Sequence, residues 1–201
     1  MYRTDILNTP IGAHRSEEVP VLEFAILGLL HEAPMHGYEL RKRLHELLGA
    51  FRAFSYGTLY PTLRKLQRGG LIVEEVPEDD SARWGRRARK VYKLTAEGKE
   101  RFAELLVNAG PQTWDDDSFG VHLAFFSRTP AEIRMRILEG RRRRVEERRE
   151  GLRTSLSATS ERIDRYTREL HRLGLESTER EVRWLNELIA HEQAEQRERD
   201  Q

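Results

Sequence analysis

The chain has 201 residues, 38% of them hydrophobic and 34% charged, with a formal net charge of +1. That length suits one large domain or two small ones, and so high a charged fraction suits much exposed helix rather than one thick core. The lack of cysteine excludes disulfides, thiolate metal sites and thiol redox sensing. No apolar run reaches the roughly 18 residues that span a bilayer, and the first residues lack the apolar core of a signal peptide. The expectation is a cytoplasmic protein with no membrane segment.

Residues 1–20 are mixed in composition and read as a flexible N-terminal arm. From Val21 the run V-L-E-F-A-I-L-G-L-L is almost wholly apolar, which suits a buried helix, and Pro34 ends it. A second helix starts near Gly37. It carries Tyr38, Leu40, Leu44, Leu47 and Leu48 on one apolar face, and Gly49 is placed to stop it. A third helix runs from about Ser55 to Arg68, with Leu59, Leu63 and Leu66 inward and Arg64, Lys65 and Arg68 away from them. Proline is tolerated in a helix only in the first turn, where its missing N–H has no intrahelical partner to lose. Pro61 therefore predicts a regular helix from Gly57 or Thr58, with Ser55 and Tyr56 in an irregular lead-in. Such a helix N-terminus, with orphan N–H groups and the positive end of the dipole, favours phosphate.

Gly69-Gly70 end this helix, and Leu71-Ile72-Val73 begin a strand. A loop over Pro77–Ala88 leads to a second strand, Arg89–Leu94, with Tyr92 and Leu94 on one face and Val91 and Lys93 on the other. Between Arg83 and Lys93 lie six basic residues (Arg83, Arg86, Arg87, Arg89, Lys90 and Lys93) and no acidic one. Thr95 caps a fourth helix through about Asn108, and Gly110-Pro111 break it. A helix, a strand, an arginine-tipped turn and a second strand, in that order, are what a winged helix needs to place a helix in the DNA major groove and a hairpin beside it.

After Phe119 the pattern changes. A short apolar helix, Val121–Phe126, precedes Thr129-Pro130-Ala131-Glu132, a capping box with proline at the first helical position. The next helix is expected to reach Leu173, where Gly174 ends it; at about 1.5 Å per residue it would be roughly 60 Å long and need a partner along its length. Val145, Leu152, Thr159, Tyr166 and Leu173 lie seven apart, and Leu156, Ile163 and Leu170 fall four after members of that set. This is an a/d heptad pattern over about four heptads. A second capping box at 178–181 predicts a last helix carrying Trp184, Leu185, Leu188 and Ile189. The dimerisation candidates are Val145, Leu152, Leu156, Ile163, Tyr166, Leu170, Trp184 and Leu188.

L-G-L-L followed by H-G-Y-E-L (His36–Leu40), then S-x-G-T-L-Y-P (Ser55–Pro61), L-x-x-G-L-I (Leu66–Ile72) and K-V-Y-K-L-T-x-E-G (Lys90–Gly98), strongly resemble the PadR-type winged-helix regulators. The resemblance covers about residues 21–100. It implies a homodimer of winged helices held by C-terminal helices, acting mostly as a repressor at an inverted repeat and often releasing DNA on binding a small aromatic or cationic compound. Carried to matching positions, it puts Ser55, Gly57, Thr58, Tyr60, Pro61 and Arg64 at the DNA, with the wing around Arg83–Arg89. Tyr56, Lys65, Arg68, Arg83, Arg86, Arg87, Arg89 and Lys90 complete the candidate set for double-stranded DNA. Wing loops vary in sequence, and the N-terminal arm, longer than the motif needs, receives no role. The expected fold is mainly α with a small β-hairpin wing. Its parts are an arm over 1–20, a winged helix-turn-helix domain over 21–110 and an α-helical, long-helix dimerisation domain over 118–195.

Charges on a helix usually form a solvated face, but beside G-T-L-Y-P and a basic wing those of the third helix read as DNA contacts. Arg64 suits a guanine edge, and Lys65 or Arg68 suits phosphate. Tyr60 is either a phosphate donor or a core packer; Tyr38 and Tyr92 read as core. Arg141–Arg144 precede Glu146, Glu147 and Glu150, which points to a solvated or dimer-flanking face rather than a second nucleic-acid site. His31-Glu32 and His36 miss the H-E-x-x-H zinc spacing by one, and Pro34 interrupts the helix that motif needs. With no nucleophile elbow, phosphate-binding glycine loop or metal-ligand spacing, neither enzyme activity nor a cofactor is expected. Tyr166, Trp184 and Phe125-Phe126 are the aromatic candidates for an effector pocket, but read as interface core, so no ligand residue is assigned and the effector is unidentified. The rival reading is a coiled-coil interaction module whose winged helix binds a protein, since fold alone does not decide function.

Overall fold

A computed structural model describes residues 15–49, 56–75, 90–158, 164–199 and 201. Its elements are α1 (Arg15–Glu32), β1 (Met35–His36), α2 (Gly37–Leu48), α3 (Tyr56–Arg68), β2 (Ile72–Glu75), β3 (Val91–Leu94), α4 (Ala96–Val107), α5 (Phe119–Ala124), α6 (Ala131–Ala158) and α7 (Arg165–Arg199). Short 3-10 turns occupy Pro111–Trp114 and Phe126–Arg128. The fold is mainly helical with one small sheet, as expected, and divides into compact units over 1–105 and 106–201.

The first unit is built around α1. Every residue from Val21 to Leu30 is buried, and α2, α3 and β3 pack against this helix. Leu40, Leu44 and Leu48 of α2 and Leu59, Leu63 and Leu66 of α3 supply the facing apolar stripes, with Phe102 of α4 set 5.6 Å from Phe24 between ring centroids. α1 starts at Arg15, earlier than Val21, so residues 15–20 are helical rather than part of an arm. Tyr38 is 74% exposed, contrary to the core reading. Its neighbour Leu40 takes the inward position, which turns Tyr38 to the polar face.

The sheet is antiparallel with order β1-β3-β2. Tyr92 pairs with Met35 on one side and Glu74 on the other, and Leu94 pairs with Ile72. Tyr92 and Leu94 are buried, as their alternation predicts. The two-residue strand β1 was not anticipated; it is too short to carry a periodic signal. α3 ends in a Schellman turn. The Leu71 N–H donates to Leu66 O at 2.9 Å and the Gly70 N–H to Gln67 O at 3.0 Å, with Gly70 at φ +70°. Thr95 caps α4 by accepting from the Gly98 N–H at 3.0 Å, and donates its own hydroxyl to Gly70 O at 2.7 Å. The cap of one helix is thus tied to the stop of another.

The second unit overturns the single long helix. α6 ends at Ala158, and α7 begins after Asp164, whose carboxylate accepts the Tyr166 and Thr167 N–H groups at 2.8 and 3.1 Å. This is an N-cap, strong enough to start a new helix. Hydrogen bonds from the Thr167 hydroxyl and the Thr167 and Tyr166 backbone hold the Asp164 carboxyl below its usual range. The two helices are antiparallel. Arg134 grips Glu192 with both ends, at 2.8 and 2.5 Å, while Arg141 meets Glu181 at 2.6 Å and Arg153 meets Glu179 at 2.9 Å. Their shared core is Phe119, Ile137, Leu138, Val145, Val182, Leu185 and Ile189.

The expected stop at Gly174 and start at Thr178 both fall inside α7. Leu152 packs over Gly174, and the Thr178 hydroxyl donates to Leu175 O at 2.8 Å. Pro130 precedes α6 rather than opening it: its carbonyl accepts from Ile133 and Arg134, while the Thr129 hydroxyl turns back to Phe125 O at 3.0 Å.

Candidate nucleic-acid interface

α3 sorts its residues by face. Leu59, Thr62, Leu63 and Leu66 are buried against the first unit's core, while Gly57, Tyr60, Pro61, Arg64, Lys65 and Arg68 are exposed. Gly57, Tyr60, Pro61, Arg64 and Arg68 recur at three- and four-residue intervals and so share one face. The helix begins at Tyr56, one or two residues ahead of the expected start, so Pro61 lies beyond its first turn. Proline removes the N–H that would reach Gly57 O. The next turn is held by the Thr62 hydroxyl, which donates to Thr58 O at 2.8 Å.

Tyr60 is half exposed and also helps enclose Gly37, whose added Cβ would lie 3.5 Å from Tyr92 and 3.7 Å from Tyr60. Its ring leans on the start of α2, which supports packing in part, while half of its surface stays exposed. Tyr92 is inward; burial is the main cause raising its hydroxyl pKa, with Glu74 adding to the rise and Lys90 and Arg64 opposing it.

The basic residues divide into two groups. Arg64 and Arg68 meet no carboxylate among the described residues, and the Arg68 Nε donates only to Arg64 O, at 3.3 Å. Lys65 instead pairs with Glu23 at 3.2 Å, Lys90 with Glu74 at 2.7 Å and Lys93 with Glu75 at 3.6 Å. The hydrogen bond to Glu74 is the main cause raising the Lys90 pKa. Glu23 and Glu74 were missed by sequence reasoning. Glu23 left a signal, as the one charge in V-L-E-F-A-I-L-G-L-L. Ser55 and the wing arginines Arg83, Arg86, Arg87 and Arg89 lie outside the described residues, as do Trp84 and Ile163.

The dimerisation candidates do not form one seam. Val145 is fully buried against α7 of the same chain, and Leu188 packs on that core, so both serve the chain's own interior. Leu152 and Leu156 are half-buried. Tyr166, Leu170 and Leu173 point outward on one face of α7, with Tyr166 80% exposed. Trp184 is partly exposed and meets the Phe119 ring edge-on at 6.3 Å. Phe125 is buried and Phe126 packs at the core's margin.

Arg141 is not solvated. Its side chain is 8% exposed, bonds Asp116, Glu181 and the Trp114 carbonyl, and lies 5.2 Å from the Phe119 ring centroid. Burial acts to raise the Asp116 carboxyl, but hydrogen bonds and charge from Arg148 and Arg141 outweigh it and hold it below its usual range. Among the described residues there is no metal-ligating cluster, and no helix is long and apolar enough to cross a membrane.

Residues 26–104 match the Transcriptional regulator PadR-like family. The Negative transcriptional regulator PadR of Bacillus subtilis (strain 168) is 32% identical over 91 residues, which are 45% of this chain and 48% of that protein. The chain thus spans about half the length of the curated relative it matches. Among solved structures, B. subtilis PadR with operator DNA aligns over 86% of this chain and 99% of its own, at 23% identity and a TM-score of 0.42. The same protein with p-coumaric acid aligns over 86% and 99%, at 24% identity and a TM-score of 0.39. A Streptococcus mutans UA159 protein aligns over 84% and 98%, at 27% identity and a TM-score of 0.41. These whole-chain superpositions are loose, and the kinship is carried by the sequence of the first half. Over residues 26–104, the chain is therefore similar to the PadR-like family of transcriptional regulators.

Proposed function

We propose that this regulator binds a palindromic operator as a homodimer and represses transcription, with α3 in the major groove. The observation that carries this reading is the sorted surface of α3: an apolar face in the core and an outer face bearing Arg64 and Arg68, which meet no carboxylate among the described residues. Arg64 has the reach and the planar fork to read a guanine edge, and Arg68 the position for phosphate. Gly57 and Thr58, near the start of α3, lie where a phosphate approaches a helix N-terminus. Repression is favoured by kinship with a negative regulator. A basic wing from Arg83 to Arg89 belongs to the same reading, as does release by a small aromatic or cationic effector, which rests on the family resemblance alone.

One observation supports a dimer, and the proposed palindrome adds a geometric requirement. The outward stripe of Tyr166, Leu170 and Leu173 on α7 is apolar and exposed, and a palindrome read by two copies of α3 requires them about 34 Å apart, one turn of DNA. Light scattering after gel filtration is expected to report twice the chain mass of 23.6 kDa, and Leu170→Asp to return it to one.

The direct test of the function is fluorescence anisotropy on DNA from upstream of the chain's own coding sequence, against scrambled DNA, at two salt concentrations. A preference of about a thousandfold or more establishes operator binding. Weak, steeply salt-dependent binding to both leaves only a basic surface. No binding to either at low salt moves the winged helix to a protein partner.

A further inference from the structure

Glu23 is a charged residue inside the most buried helix of the first unit. Its side chain is 10% exposed, and both carboxylate oxygens are taken: Oε2 by Lys65 Nζ at 3.2 Å, Oε1 by Arg101 Nε at 3.4 Å. Arg101 is shared with Glu104, which accepts from its Nη1 at 3.1 Å. Among the described residues Lys65 meets no second carboxylate and is the undivided partner of Glu23. The ammonium itself is accessible, since the Lys65 side chain is 57% exposed.

An exposed lysine is ordinarily free to swing to a nearby phosphate, because a surface ion pair holds it weakly. Here the other end of the pair is buried. If Lys65 left, a desolvated carboxylate would keep only half of an arginine, and burying a charge without its partner is costly. Helix geometry adds to this. Lys65 sits about 100° round α3 from Arg64, at the margin of the outer face and toward α1. We propose that Glu23 is a positioning residue that withdraws Lys65 from the DNA-facing cations of α3, so that Arg68, but not Lys65, displaces counterions from phosphate, with Arg64 at a base edge.

The inference rests on the DNA-binding reading above and sharpens it, dividing three cations of one helix into two that touch DNA and one that orients the helix. The measurement is the slope of log affinity against log salt, for the full chain on the upstream duplex. Each phosphate contact adds about 0.9 to that slope. Arg68→Met lowers it by about 0.9 for each protomer bound, whereas Lys65→Met, which keeps the aliphatic stem, leaves it within about 0.3 of wild type. Glu23→Gln releases Lys65 and raises the slope by about 0.9 per protomer, and Glu23→Gln with Lys65→Met returns it to the wild-type value.

Equal losses for Arg68→Met and Lys65→Met overturn the inference while leaving DNA binding intact. A wild type that does not bind overturns both. The double variant, which leaves no buried carboxylate without its partner, keeps the test decisive if either single variant fails to fold: a slope below wild type for it overturns the inference.

Discussion

Arginine serves opposite ends in the two units. On α3, Arg64 and Arg68 project from a helix whose outer face carries no acid, and neither meets a carboxylate among the described residues. On α6, Arg134, Arg141, Arg144, Arg148 and Arg153 each meet an Asp or Glu, and Arg141 is buried among three partners. Side by side in the sequence, R-R-R-R at 141–144 looks the more basic element, yet Arg141 and Arg144 are paired with acids of the same unit and Arg142 bonds Asn186. Local charge density is therefore a poor guide to a nucleic-acid surface. What matters is whether carboxylates from other elements reach the cations first.

The largest expected effect comes from breaking the internal use of arginine. Arg141→Ala leaves Asp116 and Glu181 without their shared partner, and removing one member of a buried ionic network costs about 3–4 kcal/mol. The urea midpoint, followed by tryptophan fluorescence, should fall sharply. Two of the three tryptophans, Trp114 and Trp184, lie in the second unit and report its unfolding.

A second effect separates the units by pH. Burial lowers the His122 pKa from 6.5 to about 4. The folded state thus keeps this imidazole neutral where the unfolded chain protonates it. Stability is unaffected above about pH 6.5, declines as pH falls below that value and levels off near pH 4, by at most about 3 kcal/mol. His122→Gln should flatten this decline in urea titrations run between pH 7 and 4. An unchanged decline would assign it to other groups.

In the first unit the tight point is backbone rather than charge. A Cβ at Gly98 would land on the carbonyl oxygen of Leu71, next to the Thr95 cap. Gly98→Ala must push α4 from the sheet, at a cost of about 1–3 kcal/mol. A thermal melt that matches wild type would show that this contact gives way freely.

Most of the first unit was legible because its signals are local. The α2 and α3 stripes, the glycine stop after Arg68, the alternation of Tyr92 and Leu94 and the Thr95 cap each follow from a few adjacent residues. The second unit was misread where two local signals competed. The seven-residue spacing through Tyr166 and Leu173 favoured one helix, while the Asp164 cap, with Thr167 three residues on, favoured two. The cap prevails because α7 can then fold back and bury Val182, Leu185 and Ile189 against Ile137 and Val145, an outcome no local window contains. The same limit hid the fate of Lys65 and Lys90. Their partners Glu23 and Glu74 come from other elements, 42 and 16 residues away in sequence.

The central claim is that the open arginines of α3 meet DNA and the paired ones of α6 do not. It is tested most directly by the salt slope of binding to the upstream duplex for Arg68→Ala and Arg144→Ala, the latter removing a cation held 3.0 Å from Asp115. The account predicts that Arg68→Ala weakens binding to all sequences alike and lowers the slope by about one per protomer, while Arg144→Ala changes neither. A slope lowered by Arg144→Ala and untouched by Arg68→Ala would contradict it.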